Sequence, residues 1–388
     1  MKRFISLVWL ILASLLVIIY SNFFLPSNKN QENYKKEKII KEEKSEKSFI
    51  QANIMATGDI MFHQPLYIKT KDAEGKYDFS TYYEKVKEYL TSSDYAIGNF
   101  EATINPNRPI AGHPMFNAPK EAVKFLKDFG FDALSTCNNH CLDTGYEGVL
   151  TTIDAIKENN ILPFGTRKEE NDRINVVDIK GIKVGLLSYS EMFNGMEGIL
   201  KDKSYVVSPL DLNMVKKDIE DTKKAGADII LVYCHWGDEY HTDFAERQRL
   251  YANEIFKAGA DIILGSHPHV LQKALKFNVD GRDKFLIYSM GNSIANQRKE
   301  WMGTYDTECG VIVSINLKKD SEKINFDVDL IPTYTSRRIV DGIYRYYVYA
   351  MKDLLEGGKY RGDLPEGEKV RLDNNYKRSM EILDYKKG

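Results

Sequence analysis

The feature that most constrains this chain is one phrase used three times: KDFGFDALSTCNNH at 127–140, KKAGADIILVYCHWG at 223–237 and KAGADIILGSHPH at 257–269. Each copy opens on the lysine-bearing end of a helical stretch. A glycine follows where the helix would stop, at Gly130, Gly226 and Gly259, because helices commonly end on a left-handed residue that glycine adopts without strain. An aspartate comes two residues later, at Asp132, Asp228 and Asp261, then a short apolar run and a polar cluster containing histidine. The copies are unevenly spaced, so they do not form a solenoid. A recurring helix–turn–strand unit predicts an α/β domain. Open α/β sheets place their sites beyond the C-terminal ends of strands, which is where these histidines fall.

The rest of the body reads in the same terms. IQANIMATGD (50–59) is a first strand ending in a Gly-Asp turn, and VVDIKGIKVGLLSYS (176–190) is a hairpin into another strand. FLIYSMGNSI (285–294) is expected to be one strand with a polar exit, and CGVIVSINL and INFDVDLIP alternate like antiparallel strands. The body is expected over 49–335. From about Arg337 the chain turns tyrosine-rich and then charged, and a mostly helical extension is expected over 336–388.

The N-terminus differs. No charge occurs between Arg3 and Lys29, and the apolar run there is long enough to cross a bilayer core, which takes about 20 residues. It lacks the small-x-small triplet of a cleavage site. Residues 1–26 therefore read as an uncleaved signal anchor, a single transmembrane helix, with a cleaved signal peptide as the alternative. Residues 27–48 read as a Lys/Glu-rich tether. Lys2 and Arg3 favour an inside N-terminus, although lysines also follow the run, and the body is expected outside the cell membrane. A formal net charge of −2 gives no field for nucleic acid. Four cysteines in 388 residues do not make a disulfide scaffold, and buried thiols are the default.

Five polar clusters follow expected strands: GDIMFH (58–63), GNFE (98–101), NNH (138–140), HWGDE (235–239) and SHPH (266–269). Together they offer Asp59, Glu101, Asn139, His140, His235, His267 and His269. Mixed carboxylate, amide and imidazole is a ligand set for a pair of divalent ions such as Mn, Fe or Zn. Taken singly, each cluster has a plain explanation: a turn at Gly58-Asp59, a surface carboxylate or helix cap at Glu101, a satisfied core histidine at His235. His267 and His269, two apart on an extended segment, would face the same way. Cys137 and Cys141 read as packing residues, with thiolate ligation or a disulfide to Cys234 as the alternative. Cys234 precedes His235 on its strand and so should point to the opposite face.

The stretches GDIMF, SDYAIGNFEATI, NNHCLDTGYEG, HWGDEY, DIILGSHPHVLQ and YSMGNSI resemble CapA-type poly-γ-glutamate capsule proteins, whose domain is similar to calcineurin-type metallophosphoesterases. The resemblance implies a layered-sheet domain and two metal ions. By position it makes Asp59 the first ligand, Glu101 the bridging carboxylate and Asn139 an amide-oxygen ligand. His235 and His267 would serve one ion and His269 the other, with His140 as acid or transition-state stabiliser. The chain departs from the superfamily in two places. His63 lies four residues after Asp59 where Asp-x-His is usual, and glutamate stands at the bridging position. His63 is thus a possible additional ligand, and Asn292 in SMGNS could reach the site. Trp236, Asp238, Glu239 and Tyr240 could line a cleft, which the loop of His113, AGHPMFNAP, would cover. His241 reads as surface. Arg247 and Arg249 read as a solvated helix face, with contact to an anionic polymer as the alternative.

The implied role is capsule synthesis or export beside membrane-bound synthase subunits, with metal-activated water attacking an anionic polymer or a phosphoester. A non-catalytic polymer-binding or assembly subunit is the second expectation. A surface phosphoesterase unrelated to capsule is the third.

Overall fold

A computed structural model describes residues 49–386 apart from Lys69, Asp72, Ala73, Glu322 and Asp341. The expected anchor and tether over 1–48 lie outside the described residues. Among the described residues no helix is long and apolar enough to cross a membrane.

Among the described residues the strands are β1 Ile50–Ile60, β2 Tyr95–Phe100, β3 Ala133–Ser135, β4 Leu162–Phe164, β5 Asn175–Ile179, β6 Ile182–Ser190, β7 Ile229–His235, β8 Ile262–Ser266, β9 Ala274–Val279, β10 Arg282–Ile287, β11 Asn292–Ile294, β12 Cys309–Lys319, β13 Ile324–Val340 and β14 Ile343–Ala350. They form two sheets. One runs β14-β13-β12-β1-β2-β3-β4, with β11 also paired to β1; the other runs β5-β6-β7-β8-β10-β9. Each has a parallel centre, β1-β2-β3-β4 and β6-β7-β8-β10. Antiparallel strands flank both centres.

The sheets pack face to face. Ile54, Ile97 and Val313 of the first share one buried core with Leu186, Leu231 and Phe285 of the second, as inward-facing residues of a two-sheet stack do. Helices Leu212–Lys224 and Glu246–Ala258 cover the outer face of the second sheet through Val215, Ile219 and Ile255. Helix Glu121–Asp128 joins an aromatic cluster on the outer face of the first. The result is a layered α/β fold.

The repeated phrase is visible in this architecture. Gly130, Gly226 and Gly259 have φ of 101°, 88° and 114° at the ends of their helices, the left-handed region that glycine tolerates. The aspartates do one job. Asp132 N–H donates to Ala96 O and Asp132 Oδ2 accepts Ala96 N–H, at 2.8 and 3.1 Å. Asp228 makes the same two-way pair with Lys183, and Asp261 with Ile230. Each carboxylate extends the ladder by one rung and sets the register of a parallel pair. Asp94 does this for β1 and β2 through Asn53, although no glycine announces it.

Two expectations are corrected. FLIYSMGNSI is two strands: β10 ends at Ile287, the chain turns at Gly291 (φ 64°), and β11 pairs with β1 in the other sheet. The region after Arg337 opens on strand before its helix, and the boundary at 335/336 falls inside β13. Strand β14, IYRYYVYA, pairs with β13. Its aromatic and β-branched residues suit a pleated surface. Tyr346 and Val348 pack on one face while Tyr349 packs on the other, so burial on both sides hides the alternation. A helix does follow at Glu366–Leu383, and its Leu372 and Leu383 enter the inter-sheet core.

Candidate metal centre

The expected residues arrive at one place because the parallel strands of both sheets end there. Asp59 is near the end of β1, and its N–H donates to Gly291 O at 3.0 Å. Gly58 is required beside it: a Cβ there would lie 1.8 Å from Gly291 O. Glu101 directly follows β2, Asn139 and His140 lie in the turn after β3, and His235 is the last residue of β7. His267 and His269 follow β8 with φ of 97° and 58°. They are not on an extended segment, so the expected reason for their convergence is replaced by two left-handed residues around Pro268. All seven side chains are buried.

The donor atoms crowd together. His235 Nε2 is 2.9 Å from Asn139 Oδ1, 3.1 Å from His267 Nδ1 and 3.6 Å from Glu101 Oε1. His269 Nδ1 is 3.0 Å from Asp59 Oδ2, and its Nε2 is 3.8 Å from Glu101 Oε1. His267 N–H donates to Asp59 Oδ2 at 3.2 Å.

Two triads, Asp59–Glu101–His235 and Glu101–His267–His269, each bring their donor atoms within 4.8 Å of one another. Glu101 is in both. His267 groups there with His269, where the resemblance paired it with His235.

The chemistry of the donor set fits a cation. Both oxygens of Glu101 are buried and, among the described residues, lack a hydrogen-bond partner, a costly condition for a carboxylate. Burial, and then the nearby Asp59 carboxylate, push its pKa well above the usual range. Burial and the neighbouring imidazoles hold His235 well below its ordinary value, and burial first takes His267 down to about 3. Neutral imidazole is the ligating form. Lone pairs without protons, facing an orphaned carboxylate, are an arrangement that divalent ions satisfy.

Supporting residues not anticipated from sequence complete the site. Asn99 Nδ2 donates to Asp59 Oδ1 at 2.9 Å, and Ser266 Oγ lies 3.0 Å from His235 Nδ1. Asn138 Nδ2 donates to Phe100 O, while its Oδ1 accepts His140 N–H. Asp143 Oδ2 sits 2.8 Å from His140 Nδ1. Asn99 and Asn138 belong to the polar clusters themselves, and that position is the signal that could have found them. Asp143 stands three residues after His140 in a stretch that reads as a turn.

The softer candidates divide. Asn292 Nδ2 donates to His269 O at 3.2 Å, so it holds the histidine's backbone. His63 is outside both triads. Its Nδ1 accepts Asn296 N–H at 3.3 Å, and burial takes it to about 3. A cleft of about 520 Å³ opens over Asn139, His140 and His269, lined also by Met61, His113, Met115, Met196, Glu239 and Tyr240. Trp236 is not in it; the indole is packed under the second sheet with its N–H on Tyr288 O. Asp238 pairs with Arg247, which also binds Glu191, and Arg249 pairs with Glu246. His241 is exposed. All four cysteines are free and buried. Cys137 and Cys141 pack with Leu142 and Val149, and Cys234 packs on the face of β7 opposite His235.

Fold and site therefore define an α/β protein with a buried, carboxylate-shared donor cluster. Residues 53–297 match the family described as "Bacterial capsule synthesis protein PGA_cap", and the chain belongs to that family. It is 32% identical over 285 residues to "Capsule biosynthesis protein CapA" of Bacillus anthracis, a match covering 71% of this chain and 65% of that one. It is 33% identical over 270 residues to "PGA biosynthesis protein CapA" of Bacillus subtilis, covering 68% and 67%. The calcineurin-like phosphoesterase YfkN of Bacillus subtilis superposes with a TM-score of 0.41 at 14% identity, over 87% of this chain and 100% of that one.

Proposed function

We propose that this protein is a membrane-anchored, extracytoplasmic component of poly-γ-glutamate capsule synthesis or export, and that its site is a dinuclear metal centre of a hydrolase. For the first part, the names of its capsule relatives support the capsule role, and the uncharged run between Arg3 and Lys29 supports the anchor. The second rests on one observation: Glu101 is buried with both oxygens unpartnered at the meeting point of two donor triads.

Asp59, Glu101, Asn139, His235, His267 and His269 would hold the ions, with Mn, Fe and Zn as candidates. Bound divalent ions would supply electrophilic activation of the substrate and of water. The chain's own part is positioning and proton transfer. Asp143 accepts from His140 Nδ1–H and leaves Nε2 facing the cleft's chemistry, so that the protonated ring would give its Nε2 proton to a leaving group and return to the neutral Nδ1–H form. Phe116 packs edge-on against that ring at 4.7 Å. Substrate enters from the Met-rich cleft and is an anionic polymer or a phosphoester.

A second reading, a non-catalytic polymer-binding or assembly subunit beside synthase subunits, draws on His63. It stands apart from both triads and leaves the first ligand position without its usual imidazole.

The test is elemental analysis of full-length protein purified without chelator or histidine tag, beside Glu101→Ala and His267→Ala. About two ions per chain, lost in the variants, with turnover of phosphoester or γ-glutamyl substrates, is the expected result. Folded protein that takes up neither Mn nor Zn would leave the assembly reading in place.

A further inference from the structure

A second built pocket lies away from the donor cluster, at the end of β4. The chain turns at Gly165 (φ 99°), and Arg167 folds inward to 4% exposure. Its Nη1 donates to Ser208 Oγ at 2.9 Å and its Nη2 to Val207 O at 2.8 Å, while Nε has no hydrogen-bond partner among the described residues. Among the described residues no carboxylate forms an ion pair with it. Asp218 acts on it electrostatically, but that carboxylate is occupied. Arg173 binds it in bidentate fashion at 3.0 and 3.1 Å, and Tyr189 donates to it at 3.0 Å. Arg167 is a buried guanidinium with no carboxylate in contact among the described residues, a state that costs free energy until an anion is supplied.

Arg167 lines a cavity of about 220 Å³ between helix Gly145–Glu158, the turn after β4 and the start of β5. Lys157 and Lys168 share the lining with Thr166 and one acid, Asp172. Lys168 is paired with Asp154. Lys157 is exposed and has no ion pair among the described residues. We propose that this pocket binds a small anion, a carboxylate or phosphate group, with Arg167 as its base and Lys157 at its mouth. A planar guanidinium matches both groups geometrically. The proposal does not depend on the metal reading.

The pocket adjoins the back of the TCNNHC turn. Ser208, which accepts from Arg167, also donates its N–H to Cys137 Sγ, and Cys137 Sγ donates to Ser208 O at 3.2 Å. Thr166 and Thr136 share a hydroxyl hydrogen bond of 2.6 Å.

The probes are inorganic phosphate and glutarate, titrated into full-length protein stripped of metal with chelator, at constant ionic strength. Binding is read by calorimetry and by the shift in Tm. Saturable binding of at least one probe is expected. It should weaken about tenfold in Lys157→Glu, as loss and reversal of one charge contact would give, and vanish in Arg167→Met. Glu101→Gln should bind as the wild type does. Phosphate alone binding identifies a phosphate site; both binding identifies a carboxylate-tolerant one. No saturable binding of either, or equal binding in Lys157→Glu, overturns the proposal. Lys157 is exposed, so that variant remains informative even where Arg167→Met does not fold.

Discussion

His140 Nδ1 lies 2.8 Å from Asp143 Oδ2, and the same oxygen accepts the Phe116 backbone N–H at 2.5 Å. The carboxylate is thus held by the loop that walls the cleft, and it in turn fixes the ring's orientation and tautomer. With Asp143→Asn the ring can take the wrong tautomer. Turnover is expected to fall about 100-fold or more, while bound metal stays at the wild-type level. Steady-state kinetics beside elemental analysis checks both halves.

Glu101 makes a prediction for metal-free protein. Burial and Asp59 raise its folded pKa, so the folded state favours the protonated acid. The associated stability is present below the ordinary carboxyl pKa and is lost as pH rises toward the folded value. Metal-free Glu101→Gln should therefore be more stable than metal-free wild type at pH 7. The gain should exceed the roughly 0.5 kcal/mol typical of surface changes and shrink below about pH 4.5. His235 and His267 act with the opposite sign: their lowered values remove stability as pH falls below the ordinary histidine range. Urea unfolding across pH tests the pair of slopes.

Gly58→Ala should be among the most damaging single changes outside the ligands. The added methyl would meet the Gly291 carbonyl at 1.8 Å, and a backbone atom between two strands cannot step aside. A loss of about 3 kcal/mol or more is expected, together with reduced metal content, because Asp59 moves with the strand. Denaturation midpoints beside elemental analysis measure this.

Asp261 serves three partners: Ile230 N–H through Oδ2, and through Oδ1 the exposed Arg282 at 3.4 Å and the buried Lys284 ammonium at 2.9 Å. Asp261→Ala leaves that buried ammonium with the Ala260 carbonyl but no counter-charge, and should cost about 3–5 kcal/mol. Adding Lys284→Met should recover part of the loss, so the double variant is more stable than the sum of the singles predicts. A double-mutant cycle by chemical denaturation provides the number.

What the sequence made legible follows from where its signals are local. Gly130, Gly226 and Gly259 mark helix ends because left-handed backbone has few occupants, and the histidines after them mark strand exits. Asp94 performs the same bond as Asp132, Asp228 and Asp261, but the short helix before it, Lys87–Thr91, stops without glycine, so the phrase is absent. The passage of Tyr288–Gly291 from one sheet to the other depends on a backbone meeting between Gly58 and Gly291 that no local pattern encodes. The sharing of Glu101 between two triads also depends on how two sheets lie against each other, which is tertiary information.

The donors are divided between the sheets: Asp59 and Glu101 come from the end of one, His235, His267 and His269 from the end of the other. Lateral bonds such as Ser135 to Ser188, at 2.8 Å, and Tyr233 to Thr57 fasten the seam behind them. A cluster strung across a seam gauges its width. Sliding one sheet against the other would spread the donors before it bent either sheet, and the site would fail as a caliper does, through its gap while both jaws stay true.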